Sequence, residues 1–390
     1  MNAKRVVANM IVATVCCVWL AFISCNTSGG LDPKCFLPKA QRTKTSGEPN
    51  ENQSFSQAYD HPEVNSVYYW KTSFALDSVE WNMLKKYNIK RIYLRMFDVV
   101  ADNQGPRVED RAIPNATVRI PKLAVDSSRA TAHLERCGID IVPVVYITLD
   151  ALKEMKGEEN LFARKILERV RNMCKFNGMK MVSAIQLDCD WTQSTEVSFF
   201  NLCRELKNVI RSQKLKWATS STIRLHQLSR AVPPVDYGVL MVYNTGSFAN
   251  PTTRNSIIDP KEIKPYLKNL SDYKLHLDVA YPTYSWQLLF RDNKFVGLLN
   301  NVEVTDTTYF YPNGYNVVTV KKEYPYNDRF LHVGDEIRTE ESSYDFVSEA
   351  QLMIEKHLAS TPHSNVIYHL DSKNLSKYSD DEIKKILPIR

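Results

Sequence analysis

The feature that most constrains this chain is an alternation. Short apolar runs rich in β-branched and aromatic residues occur at Ser66–Trp70, Arg91–Phe97, Ile139–Ile147, Met181–Asp190, Trp217–Ile223, Gly238–Tyr243, Leu275–Tyr281 and Asn365–Asp371. Helical patterns fill most of the gaps. Asp77-Ser78-Val79-Glu80 reads as a capping box that opens a helix through Tyr87. Phe162, Ile166, Val170 and Met173 form a stripe at helical spacing, and Phe199, Cys203, Leu206 and Ile210 form another on a helix over 195–211. Further helices are predicted over 260–270, 344–357 and 379–387, the last opened by Ser379 and Glu382 as a second capping box. Eight strand-and-helix repeats predict the α/β class and a (β/α)8 (TIM) barrel over 63–388, not two packed domains. An open doubly wound sheet is the runner-up. It wants a glycine-rich first turn, and Tyr69-Trp70-Lys71-Thr72 is nothing like one.

The rhythm breaks once, between the seventh and eighth runs. Short strand-like pieces at 294–305, 308–310, 316–321 and 335–338 are separated by turn signals such as Pro312-Asn313-Gly314. They predict a small β-rich insertion over 292–343, leaving the barrel after its seventh strand. Loops that follow strands lie at the catalytic mouth of such barrels, so the insertion is expected there as a flap, stabilising or functional.

A barrel does not use the first sixty residues. Lys4-Arg5 precedes an apolar stretch from Val6 to Ile23, and Ser24-Cys25 follows. That order predicts a secretory signal over 1–24. Phe22-Ile23-Ser24-Cys25 resembles a bacterial lipobox, which makes Cys25 the expected lipidation site. Asn26 in place of Asp after it favours the outer membrane, on the periplasmic or the cell-surface side. Residues 25–62 are polar, with almost no apolar periodicity, and read as a tether.

Composition narrows the chemistry. Hydrophobic residues at 44% and charged residues at 24% exclude a disordered or collagen-like chain. Without Lys4 and Arg5 the formal charge of +6 falls to +4, which demands no nucleic-acid partner. With 12 glycines there is little material for phosphate loops. No nucleophile elbow, Walker motif or His-Glu-x-x-His is present, and no Cys/His cluster has zinc spacing, so neither a cofactor nor a metal is expected. An oxygen cage from Asp98, Asp188, Asp190 and Asp278 would need only convergence.

The fourth run carries the informative residues. Side chains alternate along a strand, so Gln186, Asp188, Asp190 and Thr192 share one face of Ser183-Ala184-Ile185-Gln186-Leu187-Asp188-Cys189-Asp190-Trp191-Thr192. Two carboxylates inside a barrel are costly unless hydrogen-bonded or functional. Their mutual repulsion should raise one pKa. The structural alternative is an acidic ladder satisfied by Arg95, Arg224 or a tyrosine.

Ile185-Gln186-Leu187-Asp188-Cys189-Asp190-Trp191-Thr192 resembles the strand-four signature Asp-Gly-x-Asp-x-Asp-x-Glu of family 18 glycoside hydrolases, the chitinases and endo-β-N-acetylglucosaminidases. Met241-Val242-Tyr243-Asn244 resembles that family's strand-six motif, and Tyr68-Tyr69-Trp70 its aromatic first strand. Val366-Ile367-Tyr368-His369-Leu370-Asp371 resembles its last strand, with Tyr368 where the family usually carries Trp. The chain is also similar to TIM-barrel lipoproteins of Bacteroidetes-type bacteria. The resemblance implies N-acetylated glycans as partners and substrate-assisted hydrolysis, an exception to the two-carboxylate rule. Asp190 then matches the acetamide-holding Asp, Asp188 the inner Asp, and Tyr243 the supporting Tyr, which makes these three the catalytic candidates.

Thr192 departs from the family. It stands where the acid should be, and a threonine hydroxyl is no general acid near neutral pH. Substitutes for that acid are Asp190 itself, Glu196, Asp98 and Asp278. Trp70, Asp98, Asn244, Asp278, Tyr281 and Trp286 are expected to bind substrate around the mouth, and Tyr284 is a further aromatic there. Trp191 is expected to face outward by parity. His369 and Asp371 end the eighth run and His226 follows the fifth; a lone His reads more readily as structural. Three functions stay open: a glycosidase with a displaced acid, a non-catalytic glycan-binding barrel, and a surface scaffold.

Overall fold

In the computed structural model, residues 61–388 are described, apart from 103, 124–128, 328 and 359–360. The leader, Cys25 and the tether up to residue 60 lie outside the described residues. Eight parallel strands form one sheet: β1 (Ser66–Tyr69), β2 (Arg91–Ala101), β3 (Asp140–Ile147), β4 (Ala184–Asp188), β5 (Ala218–Arg224), β6 (Tyr237–Met241), β7 (Leu277–Pro282) and β8 (Asn365–Tyr368). β1 pairs with β2 through Tyr68 and Tyr93, and with β8 through Val67 and Ile367, so the sheet closes on itself. Closure is what a right-twisted parallel sheet of eight strands achieves when each strand is buried on both faces. A short antiparallel strand, Ala112–Asn115, attaches to the end of β2.

Each run predicted as a strand forms one, with ends that move by at most four residues. β4 stops at Asp188, so Asp190 and Thr192 stand in the loop beyond it. Around the strands, helices α1 (Ser78–Lys86), α2 (Glu159–Phe176), α3 (Glu196–Ser212), α4 (Tyr344–Leu358) and α5 (Asp380–Ile386) turn apolar stripes inward. Phe162, Ile166 and Val170 of α2 and Phe199, Cys203, Leu206 and Ile210 of α3 are buried as their spacing predicts. Both capping boxes are present, at Asp77/Glu80 and Ser379/Glu382. The stretch predicted as one helix over 260–270 is instead a single α-turn, Pro260–Ile263, followed by a 3-10 segment, Lys264–Asn269. Pro265 inside it removes a backbone donor.

The insertion begins earlier than 292. Its five-stranded antiparallel sheet starts at Ser285–Arg291, three residues after β7 ends, and closes with Glu336–Glu341. Its own core gathers Leu289, Leu299, Val302, Phe310, Val320, Leu331 and Ile337. Asp292 and Asn293 take positive φ, 50° and 58°, in the tight turn between its first two strands, a conformation that Asn and Asp tolerate better than other side chains. Among the described residues Cys174, Cys189 and Cys203 are free and buried, while Cys137 is disulfide-bonded. No helix among the described residues is long and apolar enough to cross a membrane.

Candidate functional site at the mouth of the barrel

The C-terminal ends of β1, β2, β4, β5, β6 and β8 bring three ion networks and one aromatic cluster together. The central network is built on Arg224, the last residue of β5. Its Nη2 donates to Asp188 Oδ1 at 2.9 Å, and its Nε donates to Asp190 Oδ1. Asp188 Oδ1 also accepts from the Thr222 hydroxyl at 2.6 Å. One guanidinium therefore bridges the two carboxylates. Asp188 is deep, with a side chain 5% exposed, and Asp190 is nearer the opening at 33%. Burial pushes the Asp188 carboxyl above the ordinary aspartate range and Asp190 adds to that, whereas Arg224 and Thr222 oppose it. Burial also works against the charge of Arg224, but Asp190 and Asp188 outweigh it and hold the guanidinium well above its usual value.

Thr192 is engaged locally. Its hydroxyl lies 3.0 Å from Ser194 Oγ, and its N–H donates to Thr195 Oγ1 in the turn that starts α3. Trp191 is fully buried and packs on Phe199 and Phe200 of α3, as parity predicts. Glu196 stands in the first turn of that helix, near enough to Tyr273 to add to the rise that burial gives its phenol.

The second network joins Arg95 and Asp98. Arg95 Nε donates to Asp98 Oδ1 at 2.8 Å, and a second ion-pair contact links Nη2 to Oδ2. A bulge in β2 between Arg95 and Phe97 shifts the alternation by one residue, which lets side chains three apart meet. The Arg95 guanidinium also lies over the Trp70 ring at 5.5 Å. The third network was not anticipated. Lys71 Nζ sits 2.7 Å from Glu80 and 2.8 Å from Asp371. His369 lies beside it, its imidazole lowered to about 4 by burial, with Lys71 contributing and Asp371 opposing.

Between these networks lie the aromatics. Tyr243 stacks on Tyr368 with ring centroids 4.5 Å apart, and Tyr284 meets both rings edge-on. Trp70 is 5.7 Å from Tyr368, and Trp286 is 5.5 Å from Tyr284. Tyr243 is near enough to Arg224 and Asp188 for its phenol to feel both charges, although burial is the main reason its pKa rises. Asn244 takes φ 55° and accepts a hydrogen bond from the Tyr284 hydroxyl at 2.8 Å. Trp286 Nε1 donates to Glu340 in the insertion at 2.7 Å.

Two expected substrate residues are elsewhere. Asp278 is the second residue of β7, at the N-terminal end of the barrel, where His61 and the backbone N–H of Ser364 hold it. It cannot line the mouth, and it does not converge with Asp98, Asp188 and Asp190. Tyr281 is fully buried and feels Glu355 of α4, so it faces the helical layer rather than the mouth. Alternation explains this. Asp278 and Ala280 share one face of the strand, and Tyr281 falls on the other.

No protein-family model and no curated protein matches the chain. Among solved structures, it is similar to a chitinase from Chromobacterium violaceum at 12% identity and a TM-score of 0.48, covering 84% of this chain and 100% of that one. It is also similar to the spore cortex-lytic enzyme of Bacillus cereus, at 11% identity and a TM-score of 0.45 over 81% of this chain and 74% of that one. A family 18 chitinase from Cycas revoluta in complex with (GlcNAc)3 follows at 11% identity and a TM-score of 0.44, over 83% and 98%. At these values the likeness concerns the barrel architecture and says nothing about substrate.

Proposed function

We propose that this chain is a glycan-binding barrel that does not hydrolyse its ligand. The observation that carries the reading is the Arg224 bridge between Asp188 and Asp190. A glycosidase needs a protonated carboxyl within reach of the leaving oxygen. Although burial raises the Asp188 carboxyl, that group lies deep, with a side chain 5% exposed, and Arg224 and Thr222 both occupy its Oδ1, while Arg224 also occupies Oδ1 of Asp190. Three further carboxylates near the mouth are engaged by cations: Asp98 by Arg95, and Glu80 and Asp371 by Lys71. Thr192 offers a hydroxyl at the family's acid position, already bonded to Ser194.

What remains is suited to recognition. Tyr368 sits at the centre of the aromatic cluster and is only half-buried, as is Trp286. Half-exposed rings beside hydrogen-bonding groups suit a sugar ring, which has an apolar face and a polar edge. The strand-four and strand-six resemblance makes N-acetylated oligosaccharides the first ligands to try. A glycan array combined with a release assay tests the reading. Retention of an N-acetylated oligosaccharide without product is expected, with Tyr368→Ala weakening it about tenfold, the equivalent of 1.4 kcal/mol. Turnover by the wild-type chain would overturn the non-catalytic reading, and unchanged retention by Tyr368→Ala would misplace the site.

The leader and Cys25 make this barrel an outer-membrane lipoprotein in the same reading. Labelled palmitate is expected in the wild type and not in Cys25→Ala. Equal labelling of both would sink that part.

A further inference from the structure

The floor of the barrel, opposite the mouth, holds a second cluster that the glycan reading does not use. His61, just ahead of β1, places Nε2 2.7 Å from Asp278 Oδ2. His276, one residue before β7, places Nε2 3.5 Å from Asp278 Oδ1. The three candidate ligand atoms all lie within 4.8 Å of one another. The side chains of His61 and Asp278 are 3% and 0% exposed, and that of His276 is 26% exposed, which leaves one side open to solvent. His276 Nε2 is buried, and apart from this long approach to Asp278 it has no hydrogen-bond partner among the described residues. We propose that His61, His276 and Asp278 form a binding site for a divalent transition metal of the zinc type, fastening the segment before β1 to the barrel floor.

The chemistry of the donor set fits. Two imidazoles and one carboxylate are a common three-ligand zinc set, with a water completing a tetrahedron. Bonds of about 2.0–2.2 Å put tetrahedral ligands roughly 3.3 Å apart, inside the range already spanned here. The Ser364 N–H donates to Asp278 Oδ1 at 2.8 Å and orients the carboxylate, and Tyr237 packs against the His61 ring at 4.1 Å.

Charge points the same way. His61 joins Asp278 to an ion pair of Arg91 with Asp140: Arg91 Nε donates to Asp140 Oδ2 at 2.9 Å, and its Nη1 is 3.4 Å from His61 Nε2. Ser183 donates its hydroxyl to the same Asp140 oxygen at 2.7 Å. With both imidazoles neutral, these ion-forming groups carry a net charge of −1. A cation between His61, His276 and Asp278 reverses that charge, with Asp140 keeping Arg91 occupied. The competing arrangement is a proton on one imidazole.

The test uses the full chain, stripped with a chelator and titrated calorimetrically with zinc chloride at neutral pH. One site tighter than micromolar is expected. Thermal unfolding should shift upward by roughly 5 °C at zinc about a hundredfold above the dissociation constant. His276→Gln is expected to weaken binding at least thirtyfold and to abolish the shift. Should that variant fold poorly, His61→Gln, outside every strand, should show the same loss. No stoichiometric binding, or unchanged affinity in these variants, would overturn the site and leave the proton arrangement in its place.

Discussion

Arg224 decides how the mouth behaves. It is one side chain facing two carboxylates, and removing it leaves Asp188 buried beside Asp190 with no cation between them. A broken buried ion pair costs about 3–5 kcal/mol, because the orphaned charge stays out of water. Since Arg224 is partly exposed, the lower end applies. Arg224→Met is expected to lower unfolding stability by about 3 kcal/mol in a denaturant titration. Adding Asp190→Asn should recover part of that loss, because it removes one of the two repelling charges. Equal stabilities for the single and double variants would mean that the two carboxylates do not share the guanidinium. The reach of Arg224 was open in the sequence, where Arg95 and a tyrosine were equal alternatives. Strand register decided it: Gln186 pairs with Ser220, and Leu187 with Ser221, which carries Arg224 level with the loop beyond Asp188.

At the scale of elements, the insertion is tied to the barrel by a buried pair. Arg338 and Glu340 are 2.7 Å apart, and both are almost wholly buried. Arg338 donates to the carbonyl oxygens of Phe248, Asn250 and Pro251 in the loop after β6. Glu340 accepts from Ser256 and from Trp286. The insertion, the loop after β6 and the aromatic rim thus meet at one network. Arg338→Met should cost about 3 kcal/mol. It should also speed amide exchange over 285–341 more than in β1–β8, read by exchange mass spectrometry. Uniform protection in the variant would show that the network does not anchor the sheet. The sequence revealed strand-like pieces here, but not that the sheet starts at Ser285. No local signal separates the end of β7 from the first inserted strand, because only two residues, Thr283 and Tyr284, lie between them.

For the whole molecule, His369 links stability to pH. Its imidazole is lowered to about 4, chiefly by burial, whereas an unfolded histidine titrates near 6.5. Between those values the unfolded chain binds more protons than the folded one. Stability is therefore complete above about pH 6.5 and declines as the pH falls toward 4. The loss amounts to about 3 kcal/mol if the full shift is expressed. Asp371, held low mainly against burial by Lys71, contributes its loss at lower pH, below the ordinary aspartate value. Denaturant midpoints from pH 7.5 to 4 should fall in the wild type and flatten in His369→Gln. Parallel curves would assign the acid sensitivity to other groups.

The eight-stranded plan was written in the sequence itself, because burial on both faces of each strand and on one stripe of each helix imposes a local pattern. Phe199, Cys203, Leu206 and Ile210 show it at helical spacing, and the caps at Asp77 and Ser379 mark helix starts by chemistry that acts over three residues. The alternation of β4 likewise placed Asp188 on the lumen side and Trp191 against α3. Which charges meet was settled only in three dimensions. The β2 bulge that joins Arg95 to Asp98, the Arg224 bridge and the descent of Asp278 to the barrel floor depend on register between strands far apart in sequence. A side chain's residue type states what charge it brings, but tertiary packing alone chooses the partner that makes burying that charge tolerable.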